Sequence, residues 1–323
     1  MKRQLWSLAL MAALLLSMSG CIGIGIPGVN LIITVGPADP TGTWSLHTTT
    51  SVLSPPGHVF TEVHMASTSA GWAVSKGGSV FRFDGATWNY EGEMGVRLDS
   101  VWATSSTTCW TAGYSDGFWY YDGVGWTSHP APTRARIFAL QFTAPDDGWA
   151  VSQPGTIYHY DGANWSENHT HAAGDLIGLH MLSSTRGWAV GNLGYAVTYD
   201  GTQWTEQDID PASSTPFETI WGVSESEVWA GDHLGRIYFF DGTNWSLQAT
   251  TVSGDKIRAI RMTSSMDGWA VDGGGHFYHF DGASWALHTT TAAGVNVNSV
   301  SMVSPSDGWA VGEQGNIYRY SVP

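Results

Sequence analysis

Charge is scarce in this sequence. Only 13% of its 323 residues are Asp, Glu, Lys or Arg. Basic residues are the scarcer sign, 13 Lys and Arg against 28 Asp and Glu, and the formal charge is −15. The few Arg are scattered and no basic run occurs. An acidic surface repels phosphate backbones, which argues against nucleic acid as a partner. Cysteine is nearly absent. With only Cys21 and Cys109 there is no disulfide framework, and Cys109 reads as a small buried residue. Helical patterning is missing too, because no long window beyond the N-terminus carries an apolar stripe at helical spacing.

Catalytic signatures are equally thin. No nucleophile-elbow motif appears. Glycoside hydrolysis needs two placed carboxylates, and no local pair stands out among the many acids. His64 and His180 would need a third ligand to hold a metal. The expectation is no catalytic residue, no metal and no cofactor.

Gly and Trp are what the chain has in quantity, 40 and 18 residues. Much Gly and Trp with few charges fits many short strands and turns. The Trp of a Gly-Trp-Ala-Val unit falls at Trp72, Trp149, Trp188, Trp269 and Trp309, with degenerate copies at Trp110 and Trp229. A second motif, Asp-Gly-x-x-Trp, supplies Trp88, Trp126, Trp165, Trp204, Trp245 and Trp285. The period is about 40 residues, enough for four short strands per unit. Asp-Gly between apolar runs marks a tight turn, since Gly accepts positive φ freely. Units of this kind build propeller blades.

Seven copies of the first motif face six of the second. The start of the chain supplies the missing strand, because Thr43-Trp44-Ser-Leu-His-Thr-Thr-Thr50 matches Ser284-Trp285-Ala-Leu-His-Thr-Thr-Thr291. The expected fold is all-β, a seven-bladed β-propeller with four antiparallel strands per blade, its last blade closed by the N-terminal strand. That closure removes an exposed sheet edge.

The N-terminus reads as a secretory signal. Lys2 and Arg3 precede an apolar core, Leu8 to Leu16, too short to span a bilayer. Ser17-Met-Ser-Gly-Cys21 follows and resembles a bacterial lipoprotein signal, which implies lipidation of Cys21. The expected organisation is a signal peptide over 1–20, a tether over 21–40 and the propeller over 41–323. Residues 22 to 38 are rich in Gly and Ile, either a tether or an added edge strand. Cleavage removes two positive charges, taking −15 to −17. The expected location is extracytoplasmic, membrane-anchored only through the Cys21 lipid, or else secreted.

Gly308 to Ile317 (Gly-Trp-Ala-Val-Gly-x-x-Gly-x-Ile) resembles the photosystem II assembly/stability factor family and its BNR-like bacterial relatives. That resemblance implies a seven-bladed scaffold for protein interaction or assembly. Ile157 to Trp165 is similar to the tectonin-type repeats of sugar-binding propellers, which implies glycan binding. The turn departs from the Asp-box of sialidases and assembly factors, where one residue separates Asp from Gly. Here Asp84, Asp122, Asp161, Asp200, Asp241 and Asp281 each directly precede Gly.

Comparing blades separates scaffold from variable positions. In the first strand of each unit two columns differ from blade to blade. One runs Thr61, Asp99, Phe138, Ile177, Glu218, Arg258, Asn298. The other runs His64, Trp102, Gln141, His180, Trp221, Arg261, Ser301. The first strand lies nearest the axis, so these columns offer channel or mouth candidates: His64, Trp102, His180, Glu218, Trp221, Arg258 and Arg261. Trp119 joins them as a Trp outside both motifs. The functions in play are an envelope lipoprotein scaffold for proteins, a glycan-binding propeller, and a glycoside hydrolase or lyase. The bland alternative is a water-filled channel.

Overall fold

The computed structural model describes residues 22–26, 29–33, 42–49, 58–171 and 174–322. Cys21 and the expected signal lie outside the described residues. Ile22–Ile26 pairs antiparallel with Val29–Ile33 as a separate two-stranded sheet.

Each repeat folds as four antiparallel strands in chain order, here named a to d. In the first repeat these are Phe60–Ser67, Ala70–Ser75, Ser79–Phe83 and Trp88–Glu93. Strand b is buried along its whole length in this repeat, whereas strand d is mostly open to solvent. The Gly-Trp-Ala-Val run is therefore apolar throughout, and strand d buries only its leading Trp88.

The second and third repeats depart from this plan. Cys109–Tyr121 and Trp126–Ala144 are single long strands, and both repeats merge into one six-stranded sheet. Tyr114-Ser-Asp-Gly117, which holds the place of the turn between strands b and c of the first repeat, is drawn out as strand instead. Tyr114 and Ser115 pair with Arg136 and Ala135, so backbone bonding continues where a turn would interrupt it.

Among the described residues the a strands are Phe60–Ser67, Leu98–Ala103, the second half of Trp126–Ala144, Leu176–Ser183, Phe217–Ser224, Ile257–Ser264 and Val297–Ser304. They lie side by side in chain order, and the last lies against the first. The N-terminal strand Thr43–Thr49 pairs with Asn316–Ser321, placing Trp44 opposite Tyr320. Trp285 occupies the same place opposite Phe280 one sheet earlier.

The two Trp motifs meet between neighbouring repeats. Trp of strand b stands edge-on to Trp of the next strand d in Trp72–Trp126, Trp110–Trp165 and Trp149–Trp204. The same holds in Trp229–Trp285, Trp269–Trp44 and Trp309–Trp88. Centroids lie 5.5–6.2 Å apart with planes at 67–82°, the edge-to-face geometry that aromatic quadrupoles favour.

Candidate functional site: a charged cavity among the inner strands

The seven a strands enclose a cavity of about 400 Å³ to which every one of them contributes. One end lies where these strands begin, beside the b–c turns that carry Lys76 and Glu313. The other end is floored by Trp102, Gln141, Trp221 and Arg261.

Charge concentrates here. Lys76, Arg97, Arg136, Lys256, Arg258 and Arg261 line the cavity, six of the 13 Lys and Arg in the chain. Four carboxylates accompany them, Glu62, Asp99, Glu218 and Glu313. Six positive against four negative leaves the cavity cationic inside an acidic chain.

Two clusters flank the mouth. Asp99 is clamped by Arg97 Nε at 2.6 Å and by Arg136 through two nitrogens, at 2.7 and 2.9 Å. The Arg136 guanidinium also lies 4.3 Å from the Phe138 ring centroid. Across the ring, Glu218 is met by His233 Nε2 at 2.6 Å and by Lys256 and Arg258, each at 3.2 Å. Burial alone pushes the Glu218 carboxyl up. The hydrogen bond with His233 and the charges of Lys256 and Arg258 outweigh it and hold it at about 2. Between the clusters, Phe138 and Ile177 form an apolar wall.

The floor is built from stacked rings. His64 lies on Trp102 at 3.8 Å and 28°. His180 lies on Trp221 at 4.2 Å, and Arg261 sits over the same indole at 4.7 Å. Burial, with Arg261 nearby, lowers both histidines to about 3, so both imidazoles are neutral at pH 7.

Several floor and wall side chains stitch neighbouring a strands together. His64 Nδ1 accepts Ala103 N–H at 3.0 Å, and Ser301 Oγ accepts Met65 N–H at 3.1 Å. Gln141 both accepts Met181 N–H and donates to Met181 C=O, copying a strand ladder with its amide. Glu62 accepts Val101 N–H at 2.8 Å, as Ser100 accepts Leu140 N–H at 3.0 Å. Variation in these columns is thus partly a choice among acceptors for an inter-strand bond.

Of the sequence candidates, Trp102, Glu218, Trp221, Arg258 and Arg261 line the cavity together. His64 and His180 stand behind it, each against a floor Trp. Trp119 does not line it. It pairs opposite Ser128, as Phe81 pairs opposite Tyr90 and Tyr158 opposite Glu167. Trp119 therefore belongs to the repeat, in a strand-c column that is otherwise mostly aromatic.

Glu62, Arg97, Arg136 and Lys256 escaped the sequence reading. A signal existed for each. Arg97, Arg136 and Lys256 stand immediately before Leu98, Ile137 and Ile257, the equivalent first apolar positions of their repeats, three of seven such positions in a chain poor in basic residues. Glu62 stands in a column otherwise filled by Ser100, Ala139, Gly178, Thr219, Ala259 and Ser299.

No protein-family model matches the chain, and no curated protein matches it by sequence. Solved structures do resemble it. YCF48 bound to D1 peptide is 18% identical, with a TM-score of 0.71 over 89% of this chain and 100% of that one. A streptogramin B lyase is 10% identical, with a TM-score of 0.77 over 87% and 98%. The WD40 β-propeller domain of Doa1 is 12% identical, with a TM-score of 0.73 over 87% and 98%. At these identities the likeness speaks for the fold alone: four-stranded antiparallel sheets arranged as a β-propeller.

Proposed function

We propose that this protein is a non-catalytic scaffold that holds an acidic segment of a protein partner in the cationic mouth. The observation that carries the reading is the convergence of six of 13 basic side chains on one cavity. In a chain of −15 this clustering is not a property of the surface at large, and it would steer an acidic partner to one face. The apolar Phe138 and Ile177 give such a segment something to bury. The YCF48 structure with D1 peptide supports the idea that a propeller of this shape takes a polypeptide.

The reading includes a ring of seven blades closed by the N-terminal strand. Its support is the contact of Val297–Ser304 with Phe60–Ser67 and the pairing of Thr43–Thr49 with the last strand. It also places the protein in a bacterial envelope, tethered through Cys21, on the sequence of the leader.

Other readings find less support. Asp99 and Glu218 are each held by two cations, which suits a rigid electrostatic rim better than an acid–base pair. Trp221 is flanked by Arg261 and His180, and Trp102 by His64, so both indoles have faces already taken from a sugar ring.

The test is selection of random 12-residue peptides displayed on phage. The expected result is enrichment of acidic sequences. Their binding should weaken roughly tenfold or more, at least about 1.4 kcal/mol, in Arg136→Glu or Arg258→Glu. Absence of acidic enrichment, or peptides indifferent to both reversals, would sink the reading.

A further inference from the structure

We infer that Arg261 is a receptor for a carboxylate of the bound segment, and that Glu62 occupies the carboxylate's place until that ligand arrives. This rests on the cavity being the binding site, and it names the group recognised at its floor.

The Arg261 side chain is 16% exposed and its guanidinium lies over Trp221. Among the described residues it makes one hydrogen bond, from Nη1 to Ile260 C=O at 2.9 Å. A guanidinium carries five N–H donors, and those Arg261 does not use are open to the cavity, where a ligand can reach them. Its one ion-pair partner among the described residues is Glu62, at 3.5 Å. The other ion pairs of the cavity are 2.6–3.2 Å. The loosest pair in the cavity therefore belongs to its deepest cation.

Glu62 does not depend on Arg261. It accepts Ser100 Oγ–H at 2.6 Å and Val101 N–H at 2.8 Å. Nor does the fold depend on a carboxylate there. The equivalent positions are Ser100, Ala139, Gly178, Thr219, Ala259 and Ser299, and of these Ser100, Thr219 and Ser299 make the same inter-strand bond with a hydroxyl. Glu62 and Arg261 thus form a charged pair added to a scaffold that works without it, and they face each other past the strand that carries Ser299.

A ligand carboxylate on Arg261 would stand beside Glu62 with like charge. The groups facing Glu62 settle the outcome. Burial raises its pKa, Arg261 lowers it and Asp99 raises it. Asp99 is itself clamped by Arg97 and Arg136, and His64 on the same strand is neutral at pH 7. Once the ligand engages Arg261, the charge that opposes the upward push of burial on the Glu62 pKa is neutralised. Glu62 then takes a proton from solvent. The balance is one ligand carboxylate plus up to one proton bound, so affinity rises as pH falls until the ligand itself protonates.

The experiment titrates the full folded chain with two small probes by calorimetry. N-acetylphenylalanine presents a chain-terminal carboxylate, and N-acetylglutamate α-amide presents a side-chain one. N-acetylphenylalaninamide and N-acetylglutaminamide are the neutral controls. At least one acid should bind tenfold or more tightly than its amide, and which one does identifies the source of the carboxylate. Titrations in two buffers of different ionisation heat should show proton uptake between zero and one. Glu62→Gln keeps the bonds to Ser100 and Val101. It should abolish the uptake and tighten acid binding about tenfold at pH 7.5. Arg261→Gln should erase the preference for acid over amide. Arg261→Lys, a fold-preserving companion that keeps the charge near Trp221, should reduce it. The inference is overturned if the wild type shows no preference, if Arg261→Gln and Arg261→Lys both keep it in full, or if Glu62→Gln weakens binding. Acidic phage peptides that respond to Arg258→Glu but not to Arg261→Gln would defeat this inference and leave the scaffold reading standing.

Discussion

The Gly of each Gly-Trp-Ala-Val unit has a single physical cause. Strand pairing sets Gly71 opposite Met65, Gly187 opposite Met181, Gly268 opposite Met262 and Gly308 opposite Met302. A Cβ on any of these glycines would run into the thioether across the pair. Gly148 relates to the Phe142 ring in the same way. Two repeats invert the arrangement, and they are the degenerate ones. Ala103 faces Cys109, and Gly222 faces Val228. Where strand a is small, strand b supplies the volume. This is why Cys109 is fully buried, with desolvation pushing its thiol well above the ordinary range, and why it behaves as a small hydrophobe. Complementary volume predicts coupled mutations. Gly187→Val should destabilise by about 1–3 kcal/mol through overpacking. Met181→Gly should cost about 2–5 kcal/mol through the cavity it leaves. The double variant, which copies the Gly222/Val228 pair, should recover at least about 1 kcal/mol of the summed loss. Urea denaturation measures all three, and strict additivity would refute the pairing rule.

At the scale of the element, the Asp-Gly turns do for strands c and d what the Gly–Met pairs do for a and b. In all six, the Asp Oδ1 accepts the backbone N–H groups two and three residues on, as in Asp84 with Ala86 and Thr87 or Asp200 with Thr202 and Gln203. The Gly that follows sits at φ between +89° and +98° in every copy, Gly201 at +93°. An L side chain there is strained by about 1–2 kcal/mol. Gly201→Ala should lower stability by that amount. Gly125→Ala, in the equivalent turn at a residue with open space around it and no positive φ, should be neutral or slightly stabilising. Thermal unfolding of both variants checks the contrast, and equal losses would contradict it. These turns, both Trp columns and the kinship of Thr43–Thr50 with Ser284–Thr291 were legible in the sequence because each is repeated, and repetition exposes what packing requires. The strand drawn through Tyr114–Gly117 was not legible. Its residues spell a turn, and only the facing chain at Ala135–Arg136 holds them extended. Nor was the role of Glu62, since nothing in one strand reveals which side chain stands across the ring.

For the whole molecule, the scattered Lys and Arg are the clearest case of information that appears only after folding. Arg97 and Arg258 are 161 residues apart in the chain and line one cavity. What brings them there is the contact of each a strand with the next, the last lying against the first, while Thr43–Thr49 from the other end of the chain pairs with Asn316–Ser321. Trp44 on that strand stacks on Phe277 at 4.6 Å, stands edge-on to Trp269 at 5.5 Å and meets Tyr320 at 5.4 Å. Without it, Asn316–Ser321 becomes an edge with unpaired backbone groups, and the aromatic rings of two sheets lose a partner. An open edge of this kind pairs with whatever strand is offered. A chain that begins at residue 50 should therefore lose about 3 kcal/mol or more of stability. It should also associate through the exposed edge, seen as dimers or larger species by size-exclusion chromatography with light scattering. A synthetic peptide covering residues 42–50 should restore both the monomer and the melting temperature, because it supplies the same hydrogen bonds and the same Trp in trans. The Trp44→Ala form of that peptide should pair less well, as it keeps the ladder and loses the stack. If the shortened chain remains monomeric at full stability, or if the peptide has no effect on it, the strand is ornamental and the ring is closed by the contact of Val297–Ser304 with Phe60–Ser67 alone.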